Sequence, residues 1–264
     1  MQSILSPETI KQVAELIANR EDDAIIAFLS DFHFADIAEM LDELDIEEST
    51  YILKLLDSEV TSEIFIEIDE ELRKKILKNF SPSEIAEEIE EMDTDDATDI
   101  ITELDDDIQQ DVIRHIEDPE HAEDILELMG YGEDTAGGLM AKELVKVKET
   151  WTVARCVREM RRQAEYVTRV HSIYVTDDAG VLKGRLSLKD LLTTSPRTHI
   201  SEVYIPKVDF VSVHTEAEEV ARIMRKYDLE AIPVVDGNHI LVGRITIDDI
   251  IDFIEEEAEK DYQL

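Results

Sequence analysis

The 264-residue chain has a single cysteine, Cys156, so it has no intramolecular disulfide and no structural zinc site built on two or more thiolates. It has no apolar run approaching the roughly 18 residues of a bilayer-spanning helix. Its N-terminus, MQSILSPETIKQVAELI, lacks the basic region and cleavage-site pattern of a secretory signal. Basic residues are scarce, 26 against 65 acidic, for a formal net charge of -39. That excludes a general nucleic-acid binder and docking on an anionic membrane through a polybasic patch. The G-x-S-x-G, P-loop and dinucleotide-binding fingerprints are also missing, so nothing points to an enzyme. These absences predict a soluble chain, or the soluble part of a larger protein, on the cytoplasmic side.

What is present is acid and helical periodicity. Residues 1–130 carry 40 acidic and 8 basic side chains, and the remainder 25 and 18. A surface of that density repels itself, and hard divalent cations suit carboxylates. The chain is nonetheless patterned for folding. Phe34, Ile37, Ala38, Leu41 and Leu44 form one helical stripe. Residues 34–48 (FADIAEMLDELDIEE) align with 82–96 (PSEIAEEIEEMDTDD) at an offset of 48, pairing Ile37 with Ile85, Ala38 with Ala86 and Asp45 with Asp93. A period of that length with only helical patterning predicts an all-α superhelical repeat domain over 1–130. Ser81-Pro82-Ser83-Glu84 reads as a capped helix start.

Glycine is absent before Gly130 and then occurs four times in nine residues. This shift marks a Gly-rich linker at 131–138. Beyond it the patterning is mixed α/β and occurs twice. Val170–Val175 and Leu182–Ser187 read as strands before a helix at Leu188, and Leu229–Val235 and Ile240–Thr246 before a helix at Ile247. Helical stretches at Val153–Arg162 and Glu216–Tyr227 precede each pair. Both copies end in G-x-x-[ST]-x-x-D, as Gly184/Ser187/Asp190 and Gly243/Thr246/Asp249.

This duplicated unit resembles a tandem pair of CBS domains, here 139–200 and 201–253. The segment Gly132-Glu133-Asp134-Thr135-Ala136-Gly137-Gly138-Leu139-Met140, the acidic helical first half, and the ending Thr246–Asp261 are similar to the cytosolic region of the MgtE family of magnesium channels. In that family the last helix, here from 254 to 264, leads as a plug helix into a C-terminal membrane channel domain, which this sequence does not contain. The resemblance implies Mg2+ ions bridging the N domain, CBS and plug-helix surfaces and closing the pore. The matching acids are Asp95 and Asp99, spaced i,i+4; Asp228; Asp249 and Asp252; and Glu257 and Asp261. One family acid falls opposite Lys260. The resemblance also implies a homodimer through the CBS domains. In CBS pairs that bind ATP or another adenine nucleotide, the positions of Ser187 and Asp190 face phosphate and ribose. Two other readings remain open at this point. One is a nucleotide-sensing CBS module without a metal role, and the other is a helical scaffold for partner proteins.

Overall fold

A computed structural model describes residues 5–163, 170 and 172–262. The chain divides into two compact units, Met1–Met92 with Asp96–Glu123, and Asp93–Asp95 with Asp124–Leu264.

Ten short helices fill the first half: α1 (Pro7–Ala18), α2 (Asp22–Leu29), α3 (Phe34–Asp42), α4 (Ile46–Leu55), α5 (Ser58–Glu67), α6 (Glu70–Leu77), α7 (Pro82–Ile89), α8 (Thr94–Thr102), α9 (Asp106–His115) and α10 (Pro119–Leu128). Within the first unit, α3, α5, α7 and α9 pack each on the next, and α2, α4 and α6 form a second row. The structural repeat is one helix pair, because α3, α5, α7 and α9 begin at evenly spaced positions, Phe34, Ser58, Pro82 and Asp106. The longer period visible in the sequence is therefore two such repeats. Alternate repeats resemble each other more because Ile37 and Ile85 recur where the intervening helix carries Thr61.

The acid excess has a local cause. Asp45, Asp57, Asp69, Ser81 and Asp105 share one sequence register as helix N-caps, with further acids in the first turns. Short helices expose many unsatisfied N–H groups, and anions at those ends are favourable. Capping boxes form at Asp45/Glu48 and Ser81/Glu84. A hydrogen bond from Lys54, then those at Ser81, hold the Glu84 carboxyl down to about 2. Arg73 ties the α5–α6 corner, donating to the Phe65 and Ile68 carbonyls at 2.9 and 2.8 Å and pairing with Glu103.

The second unit holds two three-stranded sheets of the same design. In the first, β1 (Val145–Lys148) lies parallel to β2 (Ile173–Thr176), which runs antiparallel to β3 (Leu182–Leu186). In the second, β4 (Val211–Ser212), β5 (Ala231–Val235) and β6 (Leu241–Thr246) repeat that order. Helices α12 (Val153–Gln163) and α14 (Ala217–Tyr227) follow the first strand of each sheet. Helices α13 (Leu188–Thr193) and α15 (Ile247–Tyr262) follow the last. The parallel edge strands are short: β1 alternates buried valine with lysine over four residues, and β4 has only two residues.

The Gly-rich stretch contains a short helix, α11 (Ala136–Leu139), that joins the second sheet. Ala136 and Gly137 donate to the Thr215 and Val213 carbonyls at 2.8 and 2.9 Å, and Met140 enters the core with Val213, Val234 and Ile245. No helix among the described residues is long and apolar enough to cross a membrane.

Candidate functional site

The two G-x-x-[ST]-x-x-D motifs are helix starts. Ser187 caps α13, its Oγ accepting from the Asp190 N–H at 3.0 Å and donating to Asp190 Oδ2 at 2.8 Å. At the start of α15 the Thr246 N–H donates to Asp249 Oδ2 at 2.6 Å, and Asp249 N–H faces Thr246 Oγ1 at 3.4 Å. The glycines give room to crossing backbone. A Cβ at Gly184 would lie 2.2 Å from the Ile205 carbonyl oxygen, and one at Gly243 2.7 Å from that of Ala141. The motif is thus satisfied locally in both copies before any ligand is added.

Among the described residues, one group of three acids offers ligand atoms within 4.8 Å of one another: Asp93, Asp95 and Glu143. All three belong to the second unit. Asp95 is buried at 9% exposure. Glu143 accepts from the Thr94 N–H at 3.1 Å and from Thr94 Oγ1–H at 2.8 Å. Burial, then the Asp93 carboxylate, raises the Glu143 carboxyl above the usual range. The buried Arg244 guanidinium donates to Asp93 Oδ2 at 3.1 Å and, through Nε, to the Glu143 carbonyl at 2.9 Å. The Arg244 guanidinium thus meets the carboxylate of Asp93 and the backbone of Glu143. An oxygen-only set of this span suits a hard divalent ion, whose opposed ligands stand about 4.2 Å apart for magnesium.

Of the expected metal ligands, this group contains Asp95 alone; Asp93 and Glu143 are additions from the structure. Asp93 falls in register with the helix N-caps Asp45, Asp57, Asp69, Ser81 and Asp105, a signal the sequence does hold. Glu143 lies far downstream, and only folding brings it near. Asp95 is buried near the start of α8, and Asp99, one turn further along the same helix, is exposed. Asp228 is exposed at the left-handed C-cap of α14, with φ of +53°. Asp249 is half-buried in its capping box; burial raises its carboxyl, against the opposing Thr246 hydrogen bonds. Asp252 is exposed on α15. Glu257 and Asp261 fall on α15, but their side chains lie outside the described residues.

A second feature is a polar cleft of about 330 Å³ in the second unit. Its lining includes Tyr174 and Arg185 from the first sheet, Lys207 and Asp209 from the segment between the sheets, and Asp228 and Pro233. Tyr174 is almost fully buried, its hydroxyl has no hydrogen-bond partner among the described residues, and burial pushes it up to about 12. An orphaned buried donor beside Arg185 and Lys207 suits an anionic ligand. Neither Ser187 nor Asp190 lines this cleft. A third feature, an apolar groove of about 760 Å³ between α14 and α15, is bordered by the exposed Ile251 and Ile254.

Residues 32–134 match the MgtE intracellular N domain family, and 136–196 and 200–256 each match the CBS domain family. A magnesium transporter MgtE of Thermus thermophilus is 46% identical over 144 residues, covering 54% of this chain and 32% of that protein. The chain thus matches about a third of that relative's length. A crystal structure of the cytosolic domain of the Mg2+ channel MgtE in complex with ATP is 35% identical with a TM-score of 0.87, covering 92% of this chain and 99% of the other. A crystal structure of the soluble part of a magnesium transporter is 29% identical with a TM-score of 0.84, over 95% and 98%.

Proposed function

The chain belongs to the MgtE family, and from that premise we propose that it senses Mg2+ on the cytoplasmic face of a magnesium channel. Magnesium held by its carboxylates favours the closed pore of a C-terminal membrane domain. The observation that supports this most is the Asp93–Asp95–Glu143 group, three carboxylates held within one ion's reach. Further ions use Asp99, Asp228, Asp249, Asp252, Glu257 and Asp261. Shifting a two-state balance from 1:99 to 99:1 needs about 5.5 kcal/mol. One site at ten times its dissociation constant supplies about 1.4 kcal/mol. Roughly four weak sites, filled only in the closed state, therefore suffice.

The test is small-angle scattering during a magnesium titration, with sodium holding ionic strength constant because screening alone relaxes so acidic a chain. A radius of gyration that falls and saturates at millimolar magnesium supports the reading. Asp95→Ala with Asp249→Ala should shift that response to higher magnesium; compaction of the double variant at the unmodified concentration refutes the assignment of these acids.

A second ligand is supported by the polar cleft. An adenine nucleotide there places its phosphates near Arg185 and Lys207 and gives the Tyr174 hydroxyl an acceptor. Titration calorimetry with ATP, with and without Arg185→Ala, tests this placement; equal affinity refutes it. The apolar groove between α14 and α15 is the face proposed for the homodimer, read by the mass in solution of Ile251→Glu, which should fall to that of one chain.

A further inference from the structure

Helix α12 carries an arginine face in a chain that is otherwise strongly acidic. Val153 and Cys156 are buried, with Val157 and Met160 packed on the same core. The opposite side presents Arg155, Arg158, Arg161 and Arg162, all exposed. At 100° per residue these four fall within one stripe, and from Arg155 to Arg162 it is about 10 Å long. Lys146 extends it, because Gln163 at the helix end exchanges two hydrogen bonds with the Lys146 backbone, at 2.9 and 3.0 Å.

The fold explains only part of this face. Arg161 and Arg162 stand in the last turn, where the helix dipole favours cations. Arg162 also pairs with Glu159 at 3.2 Å. Arg155 lies over the Trp151 ring at 4.5 Å. Arg158 and Arg161 have no ion pair or side-chain hydrogen bond among the described residues. Guanidinium groups favour carboxylates, which they grip with two hydrogen bonds.

We infer that the arginine face of α12 docks the acidic helical unit of a second copy of this chain. Charge complementarity selects this occupant. Residues 1–130 carry 40 acidic side chains against 8 basic ones, and every copy supplies that surface at equal concentration. Asp105, Asp106 and Asp107 at the start of α9 are all exposed, as are Glu117, Asp118 and Glu120, so the unit offers acidic stretches of matching length. A reciprocal pair of such contacts adds to the two-fold dimer proposed through the α14–α15 groove and does not replace it. The inference does not rest on magnesium or nucleotide binding.

The test uses the whole chain in EDTA at low salt. Ala154→Cys places an exposed thiol beside the stripe for a benzophenone maleimide, while the native Cys156 is buried. Isotope-mixed samples then identify cross-links between copies by mass spectrometry. The expected result is inter-copy cross-links landing within residues 5–123. They should drop about tenfold in Arg158→Glu with Arg161→Glu and disappear in molar salt. Lys11→Glu with Lys75→Glu, carrying the same charge change elsewhere, should leave them intact. Cross-links only within one chain, inter-copy cross-links that ignore the arginine reversal, or no cross-links together with capture on phosphatidylserine vesicles would each overturn the inference.

Discussion

Glu88 occupies a core position of the helical repeat. The equivalent sites in the other repeats are Met40, Ile64 and Val112, all fully buried and apolar, whereas Glu88 is 8% exposed with Oε2 unpartnered among the described residues. Burial first, then the neighbouring Glu87, Glu91 and Glu84, pushes its carboxyl from 4.5 up to about 8. The native state therefore keeps a proton that the unfolded chain releases near pH 4.5. Between pH 4.5 and 8 the folded state binds more protons, so this group makes stability fall as pH rises. At about 1.4 kcal/mol per pH unit, the loss is on the order of 5 kcal/mol by pH 8. Glu88→Met restores the residue of the first repeat and removes that slope. The two proteins should differ little at pH 5, with the variant more stable by several kcal/mol at pH 8.5. The assay is amide exchange by mass spectrometry on α7, with urea unfolding followed by circular dichroism, across pH 5 to 8.5 in EDTA. Parallel loss of stability in both proteins, or a variant less stable at pH 8.5, would refute the reasoning.

Other outcomes follow from the same geometry. Gly184→Ala should destabilise the second unit by more than about 2 kcal/mol, because its Cβ meets the Ile205 carbonyl; thermal unfolding read at Trp151 checks this. Ser187→Ala removes an N-cap and should cost about 1 kcal/mol in urea unfolding. Tyr174→Phe deletes a buried hydroxyl that has no partner, so the ligand-free protein should be as stable or more so, while ATP affinity falls; calorimetry separates the two effects. Glu143→Gln should weaken magnesium binding with little loss of helix content, and an unchanged magnesium titration would remove Glu143 from the site.

The helical half is legible in the sequence because its signals are local. Stripes such as 34, 37, 38 and 41 and caps such as Ser81 with Glu84 act within a few residues of one another, as does the doubled G-x-x-[ST]-x-x-D motif in the α/β half. The true repeat, a single helix pair, is hidden because substitutions such as Ile37 to Thr61 break the match between adjacent copies while preserving it between alternate ones. β1 does alternate, as Val145-Lys146-Val147-Lys148, but over only four residues, and β4 is two residues long; both exist by pairing with β2 and β5.

Neighbouring residues alone thus specify the acidic helical half, the duplicated α/β half and the family, through periodicity and motifs. Folding selects which acids meet. Asp93 and Asp95 acquire Glu143 as a neighbour, and Asp93 the Arg244 guanidinium, from far along the chain. In a chain where a quarter of residues are acidic, each carboxylate looks alike until folding removes some from water and sets them within an ion's reach of one another.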